Sequence, residues 1–422
     1  MKLPLDVQYI LNKFNEKGYE AFLVGGCVRD FLLNKIPYDY DITTNALPED
    51  IINLFDKTIP TGIKHGTITV IVDNNSFEVT TYRTDGTYLN NRNPEEVTFV
   101  SNIKEDLSRR DFTINAFAYS PYLGFKDYFN GKLDLDNNII RCVGNADERF
   151  KEDALRMLRA IRFSCQLNFS IHPDTLNAIK TNYKLIKNLS VERIRDEFTK
   201  IILSSKGTNG INILRSLNIS NLFIPEINEL KDLDTYDFYD DTKDSYAIID
   251  VLPSKLHIRL AGLFYKIYHF DSLENICRIA LKKLKYDNKT INNTCILLRE
   301  INTIPNYPNK KSLKKLIKKV SKELIFDLLE LKKAYLIVMN EYSSEYIDII
   351  KDNVEEILYS NEPIYLKDLS VNGEILVKEL GVKPGKEIGV LLNFLLENVL
   401  ENPELNTKQN LINLSKQYIK YK

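Results

Sequence analysis

Histidine, cysteine and long apolar runs are all scarce in this chain. The four histidines, His65, His172, His257 and His269, show no metal-ligand spacing, and none begins a His-Asp dipeptide of the phosphohydrolase kind. Five scattered cysteines, Cys27, Cys142, Cys165, Cys277 and Cys295, are odd in number and include no Cys-x-x-Cys. Neither a zinc site nor a disulfide framework is indicated. No apolar run approaches the ~18 residues a membrane helix needs, and the start Met1-Lys2-Leu3-Pro4-Leu5-Asp6 lacks the apolar core of a signal peptide. The expectation is a protein of the reducing cytoplasm with no membrane partner. Internal repeats and long low-complexity linkers are also missing.

A basic excess is lacking too, since the formal net charge is −1. Any nucleic-acid contact must therefore come from segregated charge rather than abundant charge. One such segregation is visible: Lys310, Lys311, Lys314, Lys315, Lys318 and Lys319 recur at helical spacing beside Leu313, Leu316, Ile317 and Val320. The row is either a solvated face or a grip on phosphates.

What remains is ordinary globular material, 422 residues with 44% hydrophobic and 27% charged, enough for two to four domains. Up to about residue 145 short strands alternate with helices, and nearly everything after reads helical, with apolar recurrence at three and four over Val191 to Leu203, Ile276 to Leu284 and Ser312 to Met339. The fold class is α+β.

Two aspartates one residue apart, Asp39 and Asp41, stand in Pro37-Tyr38-Asp39-Tyr40-Asp41-Ile42. On extended backbone, residues i and i+2 face the same way, so both carboxylates aim at one small volume. That suits a pair of Mg²⁺ ions, because hard cations take oxygen ligands and two of them ~3.5–4 Å apart stabilise attacking and leaving oxygens in phosphoryl or nucleotidyl transfer. The alternative is a solvated turn.

Upstream, Phe22-Leu23-Val24 reads as a buried strand, followed by Gly25-Gly26 and a helical run from Val28 to Asn34. Backbone N–H groups at Gly25 and Gly26 can approach phosphate oxygens, with Arg29 on the first helical turn reaching the same triphosphate; otherwise this is a glycine turn with a surface arginine. Strands at Gly66–Val72 and Ser76–Tyr82 join through Asp73-Asn74-Asn75. Alternation puts Phe77 and Val79 on one face and Glu78 on the other, as a third carboxylate or an exposed strand residue. In Ser108-Arg109-Arg110-Asp111-Phe112-Thr113-Ile114-Asn115-Ala116, Arg110 suits a triphosphate and Asp111 a ribose hydroxyl, unless Asp111 is a helix cap. Finally, Glu152-Asp153-Ala154-Leu155-Arg156-Met157-Leu158-Arg159-Ala160-Ile161-Arg162-Phe163 lines Arg156, Arg159 and Arg162 along one side of a helix, next to Leu155, Leu158 and Ile161. Without acids at i+4 beyond the opening pair, that row faces an anion.

Taken in order, these motifs resemble those of the class II tRNA nucleotidyltransferases, the family of CCA-adding enzymes whose close relatives include bacterial poly(A) polymerases. Leu380-Gly381-Val382-Lys383-Pro384-Gly385-Lys386-Glu387-Ile388-Gly389, with Leu391-Leu392 and Leu395-Leu396, resembles the family's tail. The resemblance implies a catalytic head at 1–145, a helical neck with the nucleotide-selecting helix at 146–205, a body at 206–305 and a tRNA-binding tail at 306–422.

It implies attack of a tRNA 3′ hydroxyl on the α-phosphate of CTP or ATP, with Mg²⁺, as two ions, at Asp39 and Asp41, Arg29, Arg110, Arg159 and Arg162 on the triphosphate, and a pocket of protein as template. Asp153 accepts only and Arg156 donates only, which matches the edges of cytosine and adenine and opposes those of uracil and guanine. A mobile loop at Thr84–Val97 is implied to govern the switch from C to A. Poly(A) polymerase, an A-adding specialist and a non-catalytic RNA-binding protein stay open as alternatives, and oligomeric state is not legible.

Overall fold

The computed structural model describes residues 2–86, 88–89, 93–94, 97–228, 247–265, 273–305, 307–338 and 344–420. They form two compact units, Met1–Asn228 and Glu229–Lys422. The fold is α+β, as the sequence reading has it.

The first unit is built on a mixed seven-stranded sheet. In spatial order the strands are Gly124–Asp127, Phe117–Ser120, Ala21–Val24, Asp41–Thr44, Asn75–Thr81, Thr67–Val72 and Thr58–Gly62. Ala21–Val24 is buried at all four positions, which is why it reads as a continuous apolar run rather than an alternating one. The chain leaves it at Gly25, whose φ of 76° is open to glycine, and enters the helix Gly26–Leu32.

Thr67–Val72 and Asn75–Thr81 pair antiparallel through a tighter turn than the sequence suggests. Asp73 and Asn74 take φ of 46° and 67°, so two left-handed residues make the connection and match the twist of the flanking strands. Asp41–Thr44 runs parallel to Asn75–Thr81, with Ile42 opposite Val79. Asp41 and Glu78 each precede one of those buried residues, and alternation turns both to the opposite face of the sheet.

Two sequence expectations are refined. The helix expected from Glu152 is interrupted: Ala146–Glu152 ends at Asp153, whose backbone is extended, and a second helix runs Leu155–Leu167. The Asp153 carboxylate accepts the Leu155 N–H at 3.0 Å and so satisfies a donor of the new first turn. Within Thr84–Val97, Arg83–Asp85 pairs antiparallel with Val97–Phe99 and Tyr88–Leu89 with Asn93–Pro94. That ribbon replaces the featureless loop expected from composition; residues 87, 90–92 and 95–96 lie outside the described residues, as does His269.

The second unit is helical among its described residues. The apolar recurrence read as one stretch from Ser312 to Met339 is two helices, Lys310–Val320 and Ile325–Val338, because Ser321 sits at φ 95° and breaks the ladder. Acids from other segments meet most of the lysine row. Lys310 and Lys314 pair with Glu362 at 2.6 Å each, Lys311 with Glu401 at 2.7 Å, Lys315 with Glu397 at 2.5 Å, and Lys319 approaches Glu300 at 3.8 Å. Among the described residues Lys318 alone of the six makes no ion pair; Lys314 is buried, while Lys310, Lys311, Lys315 and Lys319 keep solvent access in surface pairs. Among the described residues, too, no helix is long and apolar enough to cross a membrane.

Lys314 is fully buried and also donates to the Leu400 carbonyl at 3.2 Å. Replacing it by alanine vacates its place in the core and leaves half-buried Glu362 to Lys310 alone, and Lys314→Ala is expected to cost about 2–3 kcal/mol in denaturant unfolding. The double variant Lys314→Met/Glu362→Gln is expected to recover most of that loss, since it removes both charges together.

Candidate active site

Asp41, at the start of its strand, and Glu78, on the neighbouring one, line a cavity of about 120 Å³ together with Val24, Ile42, Thr43, Thr80, Arg109 and Arg110. The Asp41 carboxyl is held above the ordinary carboxylate range. Loss of solvent is the main cause; Arg110 opposes the shift, and the charges of Asp39 and Glu78 add to it. The structure therefore brings Asp39, Asp41 and Glu78 into one electrostatic neighbourhood.

Arg110 packs so closely over the glycine turn that a Cβ at Gly25 would lie 2.8 Å from its Nη1. Gly25 is thus required by its φ, and a side chain there would also push the Arg110 guanidinium aside. Beneath Arg109 and Arg110 lies Asp106, fully buried, which accepts from Arg109 Nε and Nη2 at 3.1 and 2.8 Å and lies 3.8 Å from Arg110 Nη2. Burial lowers the Arg110 pKa, with Asp106 countering.

Asp111 occupies neither the cap role nor open space. Its Oδ1 accepts the Phe112 N–H at 2.8 Å and Asn115 Nδ2 at 3.1 Å, while Oδ2 takes Arg159 Nε and Nη2 at 2.8 and 2.5 Å. Asn115 Oδ1 in turn accepts from Arg29 Nη1 at 2.7 Å, so one hydrogen-bonded chain runs Arg29, Asn115, Asp111, Arg159. Burial pushes the Asp111 pKa up, but Arg159, the Asn115 amide and Arg156 outweigh it and hold the group at about 2.

On the Leu155–Leu167 helix, Arg156 donates to Glu152 at 2.6 Å and to the Arg109 carbonyl at 2.9 Å. Asp153 accepts from Arg193 at 2.9 Å. Arg162 is 7% exposed and pairs with Glu197 at 3.2 Å. The three arginines read as facing an anion thus each touch a carboxylate already, two of them from acids far away in sequence. Asp106, Asn115, Arg193 and Glu197 carry this framework and were missed by the sequence reading. Asn115 had a signal, four residues after Asp111 in a quoted motif; Arg193 and Glu197, in the helix Val191–Ile202, had none beyond its apolar periodicity.

Three family models match the chain: the Poly A polymerase head domain at residues 21–141, the RNA and SrmB-binding site of polymerase A at 168–231, and tRNA nucleotidyltransferase domain 2 at 265–414. The CCA-adding enzyme of Ligilactobacillus salivarius is 35% identical over 414 residues, covering 98% of this chain and 96% of its own. The chain belongs to the CCA-adding enzyme family. The CCA-adding enzyme of Staphylococcus aureus is 36% identical over 379 residues, 89% of this chain and 88% of its own. A crystal structure of the Bacillus stearothermophilus CCA-adding enzyme in complex with CTP superposes with a TM-score of 0.82 at 28% identity, covering 100% of this chain and 99% of that one. In this member of the CCA-adding enzyme family the motif order is thus carried by a matching full-length fold.

A carboxylate whose folded pKa is depressed stabilises the fold above its unfolded value, and that contribution is lost as pH falls through the folded value. For Asp111 the window runs from about 4, the ordinary value, down to about 2. Asp111→Asn is expected to cost about 2 kcal/mol at neutral pH, an order-of-magnitude figure, with the deficit closing across that window in urea titrations.

Proposed function

We propose that this chain adds C, C and A to the 3′ end of tRNA from CTP and ATP without a nucleic-acid template. The observation that carries the reading is that Arg156 donates to the Arg109 carbonyl, whose side chain lines the Asp41–Glu78 cavity. The proposed base-reading arginine is thereby tied to the backbone of a residue that lines the cavity of the proposed phosphoryl-transfer carboxylates.

The donor set fits a hard divalent cation. Asp39, Asp41 and Glu78 are acceptor-only, the ligand type a hard cation takes, although among the described residues no three such groups gather closely enough to hold an ion by themselves, so substrate phosphates would complete its shell. Asp39 and Asp41 would hold Mg²⁺, as two ions, which when bound lower the pKa of an attacking hydroxyl and neutralise charge on the phosphates. Arg29, Arg110, Arg159 and Arg162 orient the triphosphate, with Gly25 and Gly26 giving close backbone approach. Asp153 accepts the amino group of cytosine or adenine while Arg156 donates to the adjacent ring nitrogen. Arg193 and Glu152 fix those two side chains in place, so a uracil or guanine edge would set an acceptor against Asp153 and a donor against Arg156. The RNA 3′ oxygen forms the new bond to the α-phosphorus as the bond to pyrophosphate breaks.

The test is incubation with Mg²⁺, CTP and ATP, singly and together, on tRNAs ending before, within and after CCA, read at single-nucleotide resolution. CCA addition that then stops is the expected product. A long A tail would replace the reading with poly(A) polymerase, A on CC-ended tRNA alone with an A-adding specialist, and no product with a binding protein.

Asp39→Ala is expected to abolish incorporation while tRNA binding stays nearly intact in a filter assay. Arg156→Ala should weaken rejection of UTP by about tenfold to a hundredfold in competition, the cost of one lost buried contact. Because a raised pKa penalises the ionised form in the folded state, Asp41→Asn is expected to raise the apo melting temperature at pH 7 while removing activity. The gain should vanish below the ordinary carboxylate range, where Asp41 is protonated folded and unfolded alike.

A further inference from the structure

Phe163 closes the arginine helix motif, and none of the roles above uses it. Its side chain is nearly buried, and three guanidiniums lie around its ring, with Cζ to centroid distances of 4.3 Å for Arg162, 5.2 Å for Arg29 and 5.4 Å for Arg159. Phe112 meets the ring edge-on, centroids 5.8 Å apart at 81°, and fixes its tilt. Three like charges around one side chain repel one another, and a leucine of similar bulk would do nothing to offset that. An aromatic ring does, since its faces carry the negative part of the quadrupole.

Each guanidinium is pinned, Arg29 through all three nitrogens by Asp30 and Asn115, Arg159 along its Nε–Nη2 edge by Asp111, and Arg162 through Nη1 by Glu197. Arg159 uses Nε and Nη2 on Asp111, which turns its Nη1 edge away from that carboxylate, and Arg162 Nε is buried with no hydrogen-bond partner. Carboxylates at the edges and a ring at the centre are a frame that sets where the remaining donors point. Arg29 comes from the glycine-turn helix and the other two from the nucleotide-selecting helix, so the ring also joins elements well over a hundred residues apart in sequence.

We infer that Phe163 is a positioning residue for the phosphates of the incoming nucleotide, its ring holding Arg29, Arg159 and Arg162 in one fan; this rests on the proposal that those arginines bind the triphosphate. The competing role is plain core filling. Placing phenylalanine with one, two and three ring fluorines at 163 separates the two, because fluorine drains charge from the ring face with little change of shape.

The expected result is a KM for both CTP and ATP that climbs along the series, to about three- to tenfold for three fluorines, with kcat and melting temperature unchanged. Pyrophosphate binding by calorimetry, which needs no tRNA and no turnover, is expected to weaken in step. Phe163→Leu should match the most fluorinated ring or exceed it. Flat KM and flat pyrophosphate affinity across the series, or a melting temperature that falls with it, would overturn the inference and leave Phe163 as packing. No pyrophosphate binding by the unsubstituted protein would overturn the triphosphate reading itself.

Discussion

Behind each arginine of the candidate site in the first unit stands an acid. Asp106 holds Arg109 and lies near Arg110, Glu152 holds Arg156, Asp111 holds Arg159, Glu197 holds Arg162, and Asp30 with the Asn115 amide holds Arg29. Guanidiniums withdrawn from water at this density are tolerable only when each is paired, and pairing along one edge fixes the direction of the others. The site's geometry is therefore set before any ligand arrives, which is the condition under which electrostatic stabilisation needs no reorganisation during the reaction. The near-zero net charge follows from the same rule. An RNA-handling protein reaches −1 because many of its arginines carry their own counter-charge.

Local rules made much of the head legible. Strand alternation separated Glu78 from Phe77 and Val79, the glycine turn fell where a left-handed residue was needed, and the i, i+3, i+6 arginines do share one helix. The helix breaks at Asp153 and Ser321 were not legible, since each depends on one residue's backbone angle inside an otherwise continuous periodicity. Equally hidden were the acids that hold Arg193, Arg162 and Arg110: Asp153–Arg193 and Arg162–Glu197 join residues 40 and 35 apart, and nothing local marks Asp106 as buried. Long-range charge pairing leaves no periodic trace.

The lysine row shows the same limit from the other side. Its helical spacing is real, yet its partners, Glu300, Glu362, Glu397 and Glu401, come from other segments of the second unit, and Lys314 in the middle of the row is fully buried while its neighbours keep solvent access. Helical charge periodicity says which residues share a face and not what that face meets. A lysine can serve there because its ammonium is a point charge answered by one carboxylate and one carbonyl. The head uses arginine wherever two or three partners must be met in a plane.

Against this background of paired charge, the acids without partners stand out. Among the described residues Asp39, Asp41 and Glu78 form no ion pair, although Asp41 and Glu78 line the same cavity as two arginines. Arg109 is tied to Asp106, and Arg110 offsets the Asp41 charge without cancelling the shift. The fold pairs Lys314 in its core and Arg162 beside Glu197, where burial demands it, and leaves these three exposed carboxylates to solvent. Asp39, Asp41 and Glu78 all stay exposed, so their carboxylates are open to a hard cation from solution while the neighbouring arginines keep their own counter-charge.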